Sequence, residues 1–171
     1  KDMRAQFGPA WKDVDRNGCD TRNDILKRDL TNLVFRSGTQ NCVVESGTLN
    51  DPYSGEAIEF TKGQVSSMEV QIDHVVALAD AWQTGAFKLS EAQRSQLAND
   101  PLNLLAVKGR LNSQKSDSDA ASWLPPFKGY RCKYVARQIS VKVKYGLWVK
   151  PAEKTAMQNL LKKCPNEPLP N

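Results

Sequence analysis

Ile25, Leu26, Leu30, Leu33 and Val34 recur at helical spacing, so the pattern predicts an amphipathic helix over 23–35, with Thr21 or Asp20 as its N-cap. Short apolar runs predict strands at 42–44 and 57–60, separated by the turn-rich stretch 47–55. Met68, Val70 and Ile72 then alternate with Glu69, Gln71 and Asp73, which predicts a strand. Helices follow at 76–83 and 90–98, the second opened by the capping-box pattern Ser90-x-x-Gln93. A strand at 102–107, a turn at Lys108-Gly109 and a helix at 110–116 come next. A short helix at 119–123 is stopped by Pro125-Pro126. A helix over 130–145 carries Cys132, Val135, Ile139 and Val143 on one face and ends at Gly146. Pro151 opens the last helix, 151–163, and the tail 165–171 is expected to be loosely held. The mixture of periods predicts an α+β fold.

Length and composition narrow the class. The 171 residues suit one domain with a sizeable core. With 40% hydrophobic and 25% charged residues, neither disorder nor a membrane class is indicated, and the apolar runs fall short of a transmembrane span. The net charge of +5 suits a polyanionic partner without proving one. Cys19, Cys42, Cys132 and Cys164 show no metal-binding spacing and permit three disulfide pairings. Their spacing favours Cys19–Cys42 and Cys132–Cys164, hence an oxidising compartment; four buried thiols are the competing reading. A secreted protein is expected on the disulfide reading; no charged-then-apolar leader follows Lys1, so if the protein is exported its signal peptide has already been removed.

Candidate chemistry concentrates in the middle. His74 is the single histidine and follows Asp73 at the end of an apolar run; Asn103 and Asn112 lie downstream. With one imidazole the chain cannot build a multi-histidine zinc site, and His74 is the natural neutral-pH base. Asp73 offers a hard anionic oxygen and Asn112 a carboxamide oxygen, both suited to Mg²⁺ or Mn²⁺. Taken singly, each has a plainer role: Asp73 as a helix cap, His74 as a buried imidazole, the asparagines as turn or surface residues.

Strand, Asp73-His74, insertion, strand with Asn103, turn and helix with Asn112 together resemble the HNH, or ββα-metal, endonuclease motif. The spacing from Asn103 to Asn112, then Lys115 and Asp117, also occurs in the HNH domain of CRISPR effector proteins. The wording from Asp73-His74-Val75-Val76-Ala77-Leu78 through Ala98-Asn99-Asp100-Pro101 to Trp123-Leu124-Pro125 is similar to a branch of secreted bacterial HNH proteins related to the GmrSD C-terminal domain. The likeness covers roughly 18–126 plus the cysteines.

The resemblance implies a ββα-metal core at about 65–126 and C-terminal helices at about 130–164 in a single 1–171 domain. It implies a metal-dependent DNase in which His74 is the general base, Asn103 holds the far ring nitrogen of His74, and Asp73 with Asn112 bind one divalent metal. Lys115, Arg94 and Arg22 are the candidate substrate contacts, each set against an ordinary surface charge. DNA is the expected partner, with RNA left open, no membrane, and a monomer. Without a base-reading motif, little sequence specificity is expected.

Asp13, Asp15, Asn17 and Asp24 also sketch a Ca²⁺ loop with Gly18 at its turn. An Asp in the twelfth place, Arg16 inside the loop and the neighbouring Cys19 make structural calcium the minor reading against a polar turn. Two other functions stay open: a non-catalytic extracellular module for anionic polymers with a relic HNH site, and a calcium-dependent interaction protein.

Overall fold

The computed structural model describes residues 3–63 and 66–171; the expected core motif opens at residue 65, outside them. Helix α1 (Thr21–Asp29) starts where the Asp20 carboxylate accepts the Asn23 N–H at 2.7 Å. Such a cap is worth about 1 kcal/mol. The helix ends six residues earlier than its apolar spacing predicts, because 30–35 is strand β1 (Leu30–Phe35). Asn32 takes a left-handed φ of 52°, which no helix interior allows, and β1 pairs irregularly with β2 (Val44–Asn50). Strand β3 (Ala57–Thr61) completes an antiparallel sheet in the order β1-β2-β3. Gly47, expected in a turn, lies inside β2, where a Cβ would stand 3.0 Å from the Thr31 carbonyl oxygen. The turn shrinks to 51–55, where Asp51 accepts the N–H groups of Tyr53 and Ser54.

Helix α2 (Ser66–Glu69) places Met68 on the surface, so the alternating run becomes strand only from Val70. Strand β4 (Val70–His74) pairs antiparallel with β5 (Leu104–Lys108), setting Asp73 opposite Leu105 and His74 opposite Leu104. Between them run α3 (Leu78–Gln83) and α4 (Glu91–Ala98), the latter with the Ser90–Gln93 capping box formed. Helix α5 (Gly109–Lys115) follows β5 directly. A Cβ at Gly109 would fall 2.0 Å from the Met68 carbonyl oxygen, so only glycine lets α5 start this close to the strand pair. Residues 119–123 form a hydrogen-bonded turn instead of the expected helix.

The β4–β5 pair is covered on both sides. Val70, Ile72, Leu104 and Ala106 pack against Ile25, Leu26 and the first sheet. Leu105 and Val107 pack against Tyr134, Val135 and Met157 from α6 (Arg131–Tyr145) and α7 (Pro151–Leu161). Burial on both faces explains the uninterrupted apolar run in β5. Gly146, with φ 64°, ends α6, but Val143 lies exposed off its expected face while Val141 is buried. Disulfides join Cys19 to Cys42 and Cys132 to Cys164, in the expected pairing, and no cysteine is free. Among the described residues no helix is long and apolar enough to cross a membrane. The fold is α+β with a ββα order at its centre, consistent with an HNH-type domain.

Candidate active site

Asp73 is nearly fully buried at the end of β4, and three elements fix its carboxylate. Oδ1 accepts from Lys115 Nζ of α5 at 2.9 Å, and Oδ2 accepts the Tyr53 hydroxyl from the 51–55 turn. Burial, and then the Asp73 charge, push the Tyr53 phenol well above its usual pKa, so it stays a donor. Each carboxylate oxygen therefore carries one strong donor and keeps a further lone pair.

His74 is half-buried between two supports. Its Nε2 lies 2.9 Å from the carbonyl oxygen of Ala98 at the end of α4. A carbonyl only accepts, so Nε2 carries the proton and Nδ1 keeps the lone pair. The indole of Trp11 stacks on the imidazole with ring centres 5.8 Å apart and planes 5° from parallel. Burial lowers the imidazole pKa below its usual value, against the opposing pull of the Ala98 carbonyl and Asp73. At neutral pH the ring is a neutral base.

Asp73, His74 and Asn112 line one cleft of about 550 Å³, together with Gln71, Asp117 and Arg4. Asn112 donates its Nδ2 to Gln71 Oε1 at 2.9 Å, which leaves its carbonyl oxygen as the atom with ligand character. A buried carboxylate and a carboxamide oxygen on one cleft are hard donors that fit Mg²⁺ or Mn²⁺ and leave positions for water and phosphate. The Lys115 ammonium on Asp73 works against a second cation there, so the site is less anionic than its residue types suggest.

Other expected site residues stand elsewhere. Asn103 is fully buried and does not hold the imidazole; its Oδ1 accepts the Val76 N–H at 2.8 Å and its Nδ2 donates to the Val76 carbonyl at 3.2 Å. It pins the backbone that follows His74, and the Ala98 carbonyl takes the tautomer-fixing place. Lys115 has no exposed surface, and its ammonium is held by Asp73 and by the His74 carbonyl at 2.6 Å, so it cannot meet a phosphate. Arg94 donates Nε to the Gln6 carbonyl at 2.6 Å and Nη1 to the Leu89 carbonyl, and its guanidinium lies over Trp82. It fastens the N-terminal segment instead of reaching the cleft. Arg22 sits half-buried on α1 and is not among the residues that line the cleft.

A sequence profile described as "GmrSD restriction endonucleases, C-terminal domain" matches residues 20–160. An "Uncharacterized secreted protein" of Arthroderma benhamiae is 37% identical over 158 residues, covering 91% of this chain and 72% of that protein. The chain belongs to the GmrSD C-terminal-domain family. This member has a fungal relative, so the bacterial part of the expected likeness gains no support from it. No solved structure matches.

Other residues that line the cleft or support its side chains are marked by no motif in the sequence of this family member. Gln71 is two places before Asp73 on β4, on the same strand face, and strand periodicity would have found it. Tyr53, Trp11 and Arg4 are remote in sequence and carry no local signal; Trp11 and Arg4 also precede the matched stretch. In the loop that sketched a calcium site, the Asp13 carboxylate accepts the N–H groups of Asn17 and Gly18, and Asn17 Nδ2 donates to Asp24. These bonds order a polar turn leading into α1, in which carboxylate oxygens of Asp13, Asp15 and Asp24 lie within 4.8 Å of one another, so calcium stays the minor reading beside the polar turn.

Proposed function

We propose that this protein is a secreted, metal-dependent endonuclease that hydrolyses DNA phosphodiesters with little base preference. The observation that carries it is the meeting of Asp73, His74 and Asn112 on one cleft, with His74 held as the Nε2–H tautomer. Asp73 and Asn112 would hold one divalent cation, Mg²⁺ or Mn²⁺. When bound, that cation stabilises the charge developing on the phosphate and the leaving oxygen. His74 Nδ1 takes a proton from a water as the water oxygen bonds to phosphorus and the bond to the 3′ oxygen breaks. That assistance is worth about 10²–10⁴ in rate. Tyr53 and Lys115 fix the Asp73 carboxylate, Ala98 and Trp11 fix the imidazole plane, and Asn103 anchors the chain between them. The two disulfides and the likeness to a secreted fungal protein support an extracellular location.

A non-catalytic module for anionic polymers takes support from Lys115, whose charge already neutralises Asp73. Incubating supercoiled plasmid with the protein, EDTA and a panel of divalent metals separates the two. Nicking that EDTA abolishes supports the enzyme, and absence of nicking with every metal supports the module.

A further inference from the structure

With Lys115 buried and Arg94 tied to two carbonyls, the cleft needs another cation if it is to receive a polyanion. Among the described residues lining it, Arg4 is the one lysine or arginine, beside the acids Asp73 and Asp117. Arg4 also lines the smaller cavity of about 140 Å³ on the Trp11 side of His74, so its exposed side chain stands where the two openings meet at the imidazole.

Its backbone is well anchored. The turn Met3–Phe7 buries Phe7 to 1% exposure against Val76, Ala81 and Leu97, with Phe7 edge-on to Trp82 at 6.3 Å between ring centres. Arg94 holds the Gln6 carbonyl from α4. This segment lies before the stretch matched by the family profile, yet it forms a wall of the cleft.

We propose that Arg4 is a substrate-binding residue, holding a backbone phosphate of the nucleic acid at the His74 end of the cleft. The proposal rests on the nuclease reading for its substrate class. A guanidinium offers paired donors to phosphate oxygens, and a contact to the backbone is the same for every base sequence.

The test is metal-free binding of a labelled DNA duplex in EDTA, measured by anisotropy between 50 and 200 mM salt. Four proteins are compared: parental, Arg4→Gln, Arg4→Lys and Lys163→Gln, the last an equal charge loss on the exposed C-terminal surface. Arg4→Gln should lower the slope of log affinity against log salt by about one and weaken binding by about tenfold, alike for unrelated duplexes. Arg4→Lys should keep the slope, and Lys163→Gln should match the parental protein. A parental slope in Arg4→Gln, an equal loss in Lys163→Gln, or no binding by the parental protein overturns the proposal. A lost slope in Arg4→Gln from a protein that nicks no plasmid sinks the nuclease reading and leaves the phosphate contact. Nicking by a protein whose Arg4→Gln variant binds normally does the reverse.

Discussion

Replacing Lys115 with methionine separates a structural from a substrate-contacting role. The Lys115 side chain is 0% exposed and the Asp73 side chain 6%, with Nζ 2.9 Å from Oδ1. Lys115→Met keeps most of the apolar volume and removes the ammonium. Asp73 is left as a buried carboxylate with one neutral donor, Tyr53, and the His74 carbonyl loses its partner as well. Removing one member of a buried ion pair costs about 3–5 kcal/mol. In a chain of this size each kcal/mol moves Tm by about 2–4 °C, so Tm should fall by about 6–20 °C. Differential scanning calorimetry at pH 7 measures this directly. Asp73→Asn combined with Lys115→Met should recover part of the loss, because no uncompensated charge remains. A phosphate contact would behave oppositely, with Tm unchanged and a shallower salt dependence of DNA binding. A Lys115→Met protein melting within about 2 °C of the parental one refutes the buried-pair reasoning.

Reduction of the two disulfides, which close loops with sequence separations of 23 and 32, should remove about 3–4 kcal/mol per bridge and lower Tm in melts run with and without reductant; coincident melts would contradict this. Burial alone would raise the Asp100 pKa, but hydrogen bonds from Lys144, Tyr145 and the Leu102 N–H hold it below the usual 3.8. Its stabilising contribution is therefore present above pH 3.8 and is lost as pH falls through the lower folded value. Asp100→Asn should melt lower than the parental protein at neutral pH, with the gap closing under acid; a gap that widens under acid would reverse the sign. Asn103→Ala should cost about 1–3 kcal/mol, because it leaves the buried Val76 N–H and carbonyl unpaired, and should slow cleavage without changing metal affinity. An unchanged Tm would return Asn103 to the imidazole.

Residues whose role is local were legible in the sequence. The alternation through Val70 and Ile72 delivers Asp73 and His74, the Ser90–Gln93 box starts α4, and Gly146 stops α6. Apolar spacing overextends α1 because Leu30, Leu33 and Val34 fit either period; the left-handed Asn32 and pairing with β2 decide for strand. Long-range partners were not legible. Lys115 and Arg94 have the composition of phosphate ligands, and only the fold shows the first inside the core on Asp73 and the second on the Gln6 carbonyl. The motif alone gives Asn103 a ring to hold, because its register against the Val75–Val76 backbone is a tertiary fact. Trp11 stacks on His74 and Arg4 lines the same cleft across more than sixty residues of chain, a proximity that no periodicity encodes.

In the proposed mechanism His74 is a base acting beside a metal it does not hold. Plasmid nicking rate, measured with metal affinity by calorimetry on the parental protein, His74→Ala and Asn112→Ala, tests it most directly. His74→Ala should lose at least ~10²–10⁴ of the rate while binding metal as the parental protein does. Asn112→Ala should bind metal more weakly and regain part of its rate as metal is raised. Cleavage by His74→Ala at the parental rate, or loss of its metal binding, would contradict the assignment.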